Sequence, residues 1–223
     1  MLECDMTVVC GIDEAGRGPI IGPMVLCGVC VSAENHLKFK EMGARDSKEL
    51  TPQQRNSLVK GIKDLATAYK LIIVEPAEID KALRSKATNL NWLEADKQAE
   101  ILNELKPDVA YIDCPSPNIK AFTSYIRERV KKKMEIICAH HADRDYPSVS
   151  AASILAKVER DRLIEELKKK ININFGSGYL TDPTTQAFIQ KHWKTHQQLF
   201  RHTWKPYQDK IAELTQGKLD EWK

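Results

Sequence analysis

The chain has 223 residues, 42% hydrophobic and 29% charged, enough to bury a sizeable core as one large or two small domains without covalent staples. Its net charge of +3 is too small to argue by itself for an anionic partner, and no apolar run is long enough to span a bilayer. The six cysteines, Cys4, Cys10, Cys27, Cys30, Cys114 and Cys138, are scattered rather than set out as a disulfide frame, and the chain opens with Glu3 and Asp5 instead of a basic and apolar export segment, so a cytoplasmic protein with no membrane association is expected.

In chain order, Thr7–Asp13 reads as a buried strand through Val8, Val9 and Ile12. A Gly/Pro-rich turn too short for a helical crossover leads to a second apolar run, Met24–Val31, so the two should pair antiparallel. Within that run Cys27 and Cys30 have the spacing of a redox or metal pair, but residues three apart on a strand face opposite sides, and buried inert thiols are expected. Thr51, Pro52 and Gln54 spell a capping box with proline at the first helical position, and Leu58, Ile62 and Leu65 form the stripe that follows. Tyr69–Val74 is a strand, Glu75-Pro76 breaks the chain, and an amphipathic segment with Trp92, Ala95, Ala99 and Leu102 on one face leads into a strand ending at Asp113. Phe122, Ile126 and Val130 mark a helix, Glu135–Ala139 a strand, and Ser148 to Lys170 one long helix with charges paired at four-residue spacing, such as Lys157 with Asp161 and Arg162 with Glu166. A glycine-rich loop from Phe175 to Pro183 precedes a helical segment from Thr184 to about Phe200. Alternating strands and helices followed by a helical tail predict an α/β architecture with helices packed on a sheet.

Chemistry concentrates at strand ends. Asp13 and Glu14 close the first strand, Asp113 closes another, and the run Ile136–Ala139 continues through His140 and His141 to Asp143. One such acid usually caps a helix or meets solvent; a doublet plus two more at comparable strand ends, brought side by side in one sheet, would repel unless divalent cations neutralised them. Oxygen donors of this kind suit Mg²⁺ or Mn²⁺, whereas thiolate or imidazole clusters would have suited zinc. The chain therefore reads as a metal-dependent enzyme. Gly16-Arg17-Gly18-Pro19 is either a plain turn or a place where main-chain groups reach a ribose hydroxyl while Arg17 meets a phosphate. It is no dinucleotide fingerprint, because the glycine spacing is off by one and Pro19 stands where a helix should begin. Ser47 and Lys48 offer a hydroxyl and a cation to a phosphate or form an ordinary loop, and Tyr179 either stacks on a sugar or base or packs over the sheet. His140 and His141 are expected near the site without a catalytic role. Lys191, His192, Lys194, Arg201, His202 and Lys205, interleaved with Trp193 and Trp204, form either a nucleic-acid surface or a wet basic face backed by an apolar aromatic one.

Taken together, these motifs resemble type 2 ribonuclease H, ribonuclease HII, in its archaeal branch. The resemblance rests on Gly11-Ile12-Asp13-Glu14-Ala15-Gly16-Arg17-Gly18-Pro19, Arg45-Asp46-Ser47-Lys48-Glu49-Leu50, Tyr111-Ile112-Asp113, Ala142-Asp143 before Tyr146-Pro147, Ser150 through Asp161, and Gly176-Ser177-Gly178-Tyr179, and covers residues 7 to about 205. It implies a ribonuclease-H-like mixed sheet flanked by helices over residues 1–170, the catalytic domain, with a helical C-terminal portion over 171–223 that contributes to substrate binding. It also implies hydrolysis of the RNA strand of RNA–DNA hybrids and of single ribonucleotides embedded in duplex DNA. Separately, a monomer is expected. Asp13, Glu14, Asp113 and Asp143 correspond to the family's catalytic and metal-holding acids, with two divalent ions, Mg²⁺ or Mn²⁺, acting during a cut that leaves a 5′-phosphate and a 3′-hydroxyl. Gly16, Arg17 and Gly18 would read the 2′-hydroxyl, Tyr179 would stack on the adjoining deoxyribose, and Lys48 would hold a backbone phosphate. The chain departs from the usual pattern at Ala139, His141 and Leu180, none of them a proposed ligand. A nuclease for DNA alone, or a non-catalytic module that binds hybrids, are the alternatives.

Overall fold

Five short apolar runs make one sheet. The computed structural model describes residues 6–44, 49–85 and 87–220. Strands β1 (Val8–Ala15), β2 (Met24–Ser32), β3 (Ala68–Val74), β4 (Val109–Asp113) and β5 (Glu135–Ala139) lie in the order β3-β2-β1-β4-β5. β1 pairs antiparallel with β2, as the short turn required, and parallel with β4, which in turn runs parallel to β5. The sheet is thus mixed, as expected. β2 is buried along its whole length and β1 along most of it, whereas the edge strand β3 is largely exposed or half-buried, because only inner strands are covered on both faces and on both sides.

The helices are α1 (Lys38–Glu41), α2 (Pro52–Leu65), α3 (Pro76–Arg84), α4 (Leu90–Leu105), α5 (Ile119–Arg127), α6 (Ala142–Asp145), α7 (Pro147–Ile171), α8 (Pro183–His192) and α9 (Lys205–Asp220). At α2 the capping box forms as read: Thr51 Oγ1 accepts from Gln54 N–H and Gln54 Oε1 accepts from Thr51 N–H. Of its proposed stripe only Ile62 is fully buried. Two expectations are corrected. Glu75-Pro76 does not merely break the chain, since Pro76 sits in the first turn of α3. The helix from Thr184 stops at His192 instead of running to Phe200, with a short 3-10 turn, Gln197–Leu199, after it.

The chain divides into two units, the first holding Met1–Ala15, Val25–Ile73 and Asn91–Glu159, the second Gly16–Met24, Val74–Leu90 and Arg160–Lys223. In the first, helices cover both faces of the sheet at glycines that leave no room for a side chain. A methyl group on Gly11 of β1 would lie 2.1 Å from the Ser148 carbonyl carbon at the start of α7. One on Gly28 of β2, which points the other way, would lie 2.4 Å from Ile101 of α4. Cys10, Cys27, Cys30 and Cys114 are buried free thiols and Cys138 is half-buried, in line with the reading of inert cysteines. In the second unit Ile20, Ile21, Ile164, Phe175, Phe188 and Phe200 belong to a separate apolar cluster, against which Trp193 and Trp204 pack.

Candidate active site

The parallel register of β1 and β4 explains why two distant carboxylates meet. Ile12 pairs with Ile112, so Asp13 and Asp113 follow at the same level on neighbouring strands. Their side chains, with that of Glu14, bring one carboxylate oxygen each to within 4.8 Å of one another. Asp13 is only 5% exposed. Its carboxyl is held well above the usual carboxylate range, first by burial and next by the charge of Glu14, with Asp113 adding to the shift. Lys157 and a hydrogen bond from Ser153 pull the other way. These two residues are four apart on α7, and Lys157 Nζ donates to Ser153 Oγ at 2.8 Å. Glu14 N–H also donates to Asp13 Oδ1 at 2.7 Å, fixing the orientation of that carboxylate.

Three acids at this spacing, one of them buried with its charge disfavoured, fit a hard divalent cation. The donors are all oxygen, and a cation would return the charge compensation that burial removes. Asp143 is placed differently from the expectation of a fourth acid at a strand end. Past β5 the chain turns at His141, which takes a left-handed conformation with φ 57°, and Asp143 lies buried in α6. That helix is tied to β4: Ala142 N–H donates to Asp113 Oδ1 at 2.8 Å, and Tyr146 stacks on Tyr111 with ring centroids 4.1 Å apart. Asp143 is therefore carried by a helix whose first residue bonds Asp113, while the group within 4.8 Å comprises Asp13, Glu14 and Asp113. His140 takes no part in that group; its Nδ1 meets Cys114 O at 2.9 Å.

The second unit holds Gly16, Arg17, Gly18 and Tyr179. Gly16 has φ +79°, and a methyl group there would strike the Arg160 side chain at 2.3 Å, so only glycine fits. Gly18 is exposed, and a methyl group there would sit 3.5 Å from the Tyr179 ring, which puts that ring beside the turn. Arg17 is half-buried between them. Tyr179 is 38% exposed, with the Arg160 guanidinium 5.4 Å from its ring centre, and Arg160 Nη2 donates to Ser177 O at 3.1 Å. Ile20 N–H donates to Gly178 O at 2.8 Å, joining the loop that carries Tyr179 to the chain just after the Gly16-Arg17-Gly18 turn. Ser47 and Lys48 lie outside the described residues.

The matches to known proteins converge on one family. Residues 10–207 match the family model for ribonuclease HII. The chain belongs to the ribonuclease HII family. It is 44% identical to ribonuclease HII of Pyrococcus furiosus over 213 residues, covering 93% of this chain and 92% of that one. Ribonuclease HII of Methanosarcina acetivorans is 41% identical, with 93% and 97% covered. Among solved structures, ribonuclease H2 from Pyrococcus horikoshii superposes with a TM-score of 0.84 at 38% identity, over 94% of this chain and 99% of that one. As a ribonuclease HII, the chain is a metal-dependent endoribonuclease with the expected ribonuclease-H-like α/β fold, and family membership supports ribonuclease H activity on RNA–DNA hybrids. No helix among the described residues is long and apolar enough to cross a membrane.

The basic C-terminal stretch is corrected at one residue. Arg201 is not a surface cation: it is wholly buried, and its guanidinium donates to main-chain carbonyls in the second unit. Trp193 and Trp204 pack on the apolar cluster, which favours the reading of an aromatic face turned inward. Sequence reasoning also missed Ser153 and Lys157 as neighbours of Asp13. Their four-residue spacing on a helix was the available signal, masked by the many other charges of α7.

Proposed function

We propose that this chain cuts the RNA strand of RNA–DNA hybrids and also cuts at single ribonucleotides embedded in duplex DNA, using Asp13, Glu14, Asp113 and Asp143 as its acidic centre. The observation that carries the reading is the gathering of Asp13, Glu14 and Asp113 within 4.8 Å in a member of this family. Two divalent ions, Mg²⁺ or Mn²⁺, would supply there the charge that activates a water and stabilises the departing ribose 3′ oxygen, leaving a 5′-phosphate and a 3′-hydroxyl. Asp13 and Glu14 hold their carboxylates at the end of β1 and Asp113 holds its own at the end of β4, so the sheet sets the spacing of the centre. Asp143 adds negative charge from α6, an element fixed by its own hydrogen bond to Asp113.

Gly16, Arg17 and Gly18 read the ribose 2′-hydroxyl, and Tyr179 stacks on the next sugar. The support is local: a glycine turn with an exposed Gly18, a half-exposed aromatic ring beside it, and Ala15 as the one residue that separates Gly16 from Glu14 in the chain. Ser47 and Lys48 hold a backbone phosphate, and the helical portion over 171–223 adds to substrate binding as part of a cytoplasmic monomer. The test is a gel of labelled duplexes carrying none, one or several ribonucleotides, run with and without Mg²⁺ or Mn²⁺. Metal-dependent cuts only at ribonucleotides are expected. Equal cutting of all-DNA duplexes would point to a DNA nuclease, and binding with no product in either metal would point to a binding module.

A further inference from the structure

A wholly buried arginine needs a reason, because taking a guanidinium out of water is costly unless its hydrogen bonds are met. Arg201 meets them on one stretch of main chain. Its Nη2 donates to Gly16 O at 2.6 Å and to Gly22 O at 2.9 Å, its Nη1 to Arg17 O at 2.8 Å, and its Nε to Gly22 O at 3.1 Å. Three residues later Trp204 Nε1 donates to Gly18 O at 3.1 Å. The carbonyls of Gly16, Arg17 and Gly18 are thus each held by a side chain from the 201–204 segment.

That segment is itself anchored. Arg201 N–H donates to Ile20 O and Gly22 N–H to Leu199 O, each at 3.0 Å, and Ile21 bridges Phe200. On its other side Asp80 of α3, buried, accepts from His202 N–H at 2.9 Å, Thr203 N–H at 2.8 Å and the Thr203 hydroxyl at 2.6 Å. A turn with two glycines would otherwise sample many shapes, and a planar fork of five donors can fix several carbonyls in one geometry where the three rotatable donors of a lysine impose none.

We propose that Arg201, assisted by Trp204, is a positioning residue for ribose recognition: it sets the main chain of Gly16-Arg17-Gly18 in the one shape that tells a 2′-hydroxyl from its absence. The inference rests on the proposed role of that turn. It assigns discrimination in part to a residue that touches no substrate, by preorganising the groups that do.

The test uses the full chain and two variants. Trp204→Phe keeps an aromatic side chain, though a smaller one, and deletes the N–H, and Arg201→Lys keeps the charge and loses the fork. Affinity is measured by fluorescence anisotropy in EDTA for a duplex with one ribonucleotide and for the same duplex in DNA, alongside the melting temperature of each protein. Trp204→Phe should lower the ratio of the two affinities by about two- to tenfold, the worth of one hydrogen bond, with the loss on the ribonucleotide side. Arg201→Lys, where folded, should lower it further. A purely structural role would weaken both duplexes by the same factor, and that result would overturn the proposal, as would a folded Trp204→Phe chain that keeps the wild-type ratio. If the unaltered chain shows no preference for the ribonucleotide duplex, the ribose-reading turn itself fails and this inference falls with it. A preference in the unaltered chain that survives Trp204→Phe sinks this inference alone.

Discussion

Replacing Asp13 with asparagine should make the metal-free protein more stable while abolishing its activity. The carboxylates of Asp13, Glu14 and Asp113 approach within 4.8 Å, and at an effective dielectric constant of about 20 each pair at that distance repels by about 3.5 kcal/mol. The substitution removes two of the three repulsions and keeps an amide oxygen able to accept from Glu14 N–H. Two effects reduce the gain: the attraction of Lys157 is lost, and proton uptake by Asp13, whose carboxyl is raised by burial and by Glu14, already relieves part of the strain. A net gain of about 2 kcal/mol is expected, which for a chain of this length raises the melting temperature by about 4–8 °C. The sign with pH follows from the raised carboxyl. The native state binds this proton more tightly than the unfolded one, so the unaltered protein loses stability in EDTA as pH climbs from the ordinary carboxylate range to the raised native value, and Asp13→Asn flattens that slope. Calorimetry in EDTA across that window and then in saturating Mg²⁺ checks both points. Metal at a hundredfold over its dissociation constant should stabilise the unaltered chain by about 2.7 kcal/mol and the variant by much less. A variant that melts lower in EDTA, or that gains as much from Mg²⁺ as the unaltered chain, would refute the reasoning.

Asp143→Asn should lower the rate of cleavage by about a hundredfold or more while hybrid binding in EDTA persists, since it removes charge from the centre and leaves α6 tied to β4; unchanged turnover would remove Asp143 from the set. Tyr179→Ala should cost about 1–3 kcal/mol of stacking, read as a rise in KM with little change in melting temperature, because the ring is 38% exposed. Gly11→Ala pushes a methyl group to 2.1 Å from the Ser148 carbonyl carbon, a clash with backbone that should destabilise by about 1–3 kcal/mol or more in urea unfolding.

Local signals were the legible ones. The Thr51-Pro52-Gln54 start of α2 needs only its own neighbours to satisfy its N–H groups, and it forms as written. The strand ends carrying Asp13 and Asp113 were visible because apolar runs announce strands and the acids close them. The failures have other causes. Proline at 76 both ends a strand and begins a helix, so a break signal concealed α3. Glu94 and Gln98 are wholly buried in α4, where helical periodicity would place an outer polar face, since periodicity records only one covered side. Asp143 reaches its place through the left-handed turn at His141, a conformation uncommon for any residue but glycine even though histidine is enriched there. Arg201 looked like one more surface cation because its partners are carbonyls some 180 residues earlier in the chain, and main-chain oxygen leaves no mark in a sequence.

The sulfur atoms of this protein lend it a built-in gauge of foldedness. A hydrogen bond with Cys30 and then burial push the Cys10 thiol up, and burial pushes up those of Cys27 and Cys114 and raises Cys138 to about 11, so little reactive anion of these four exists in the native state. An alkylating reagent should therefore modify the buried Cys10, Cys27 and Cys114 only in molecules that have opened. Mass added at those three would then report the opening rate where alkylation outpaces reclosing, and the open population where reclosing is faster, even in a crude lysate where spectroscopy is blind.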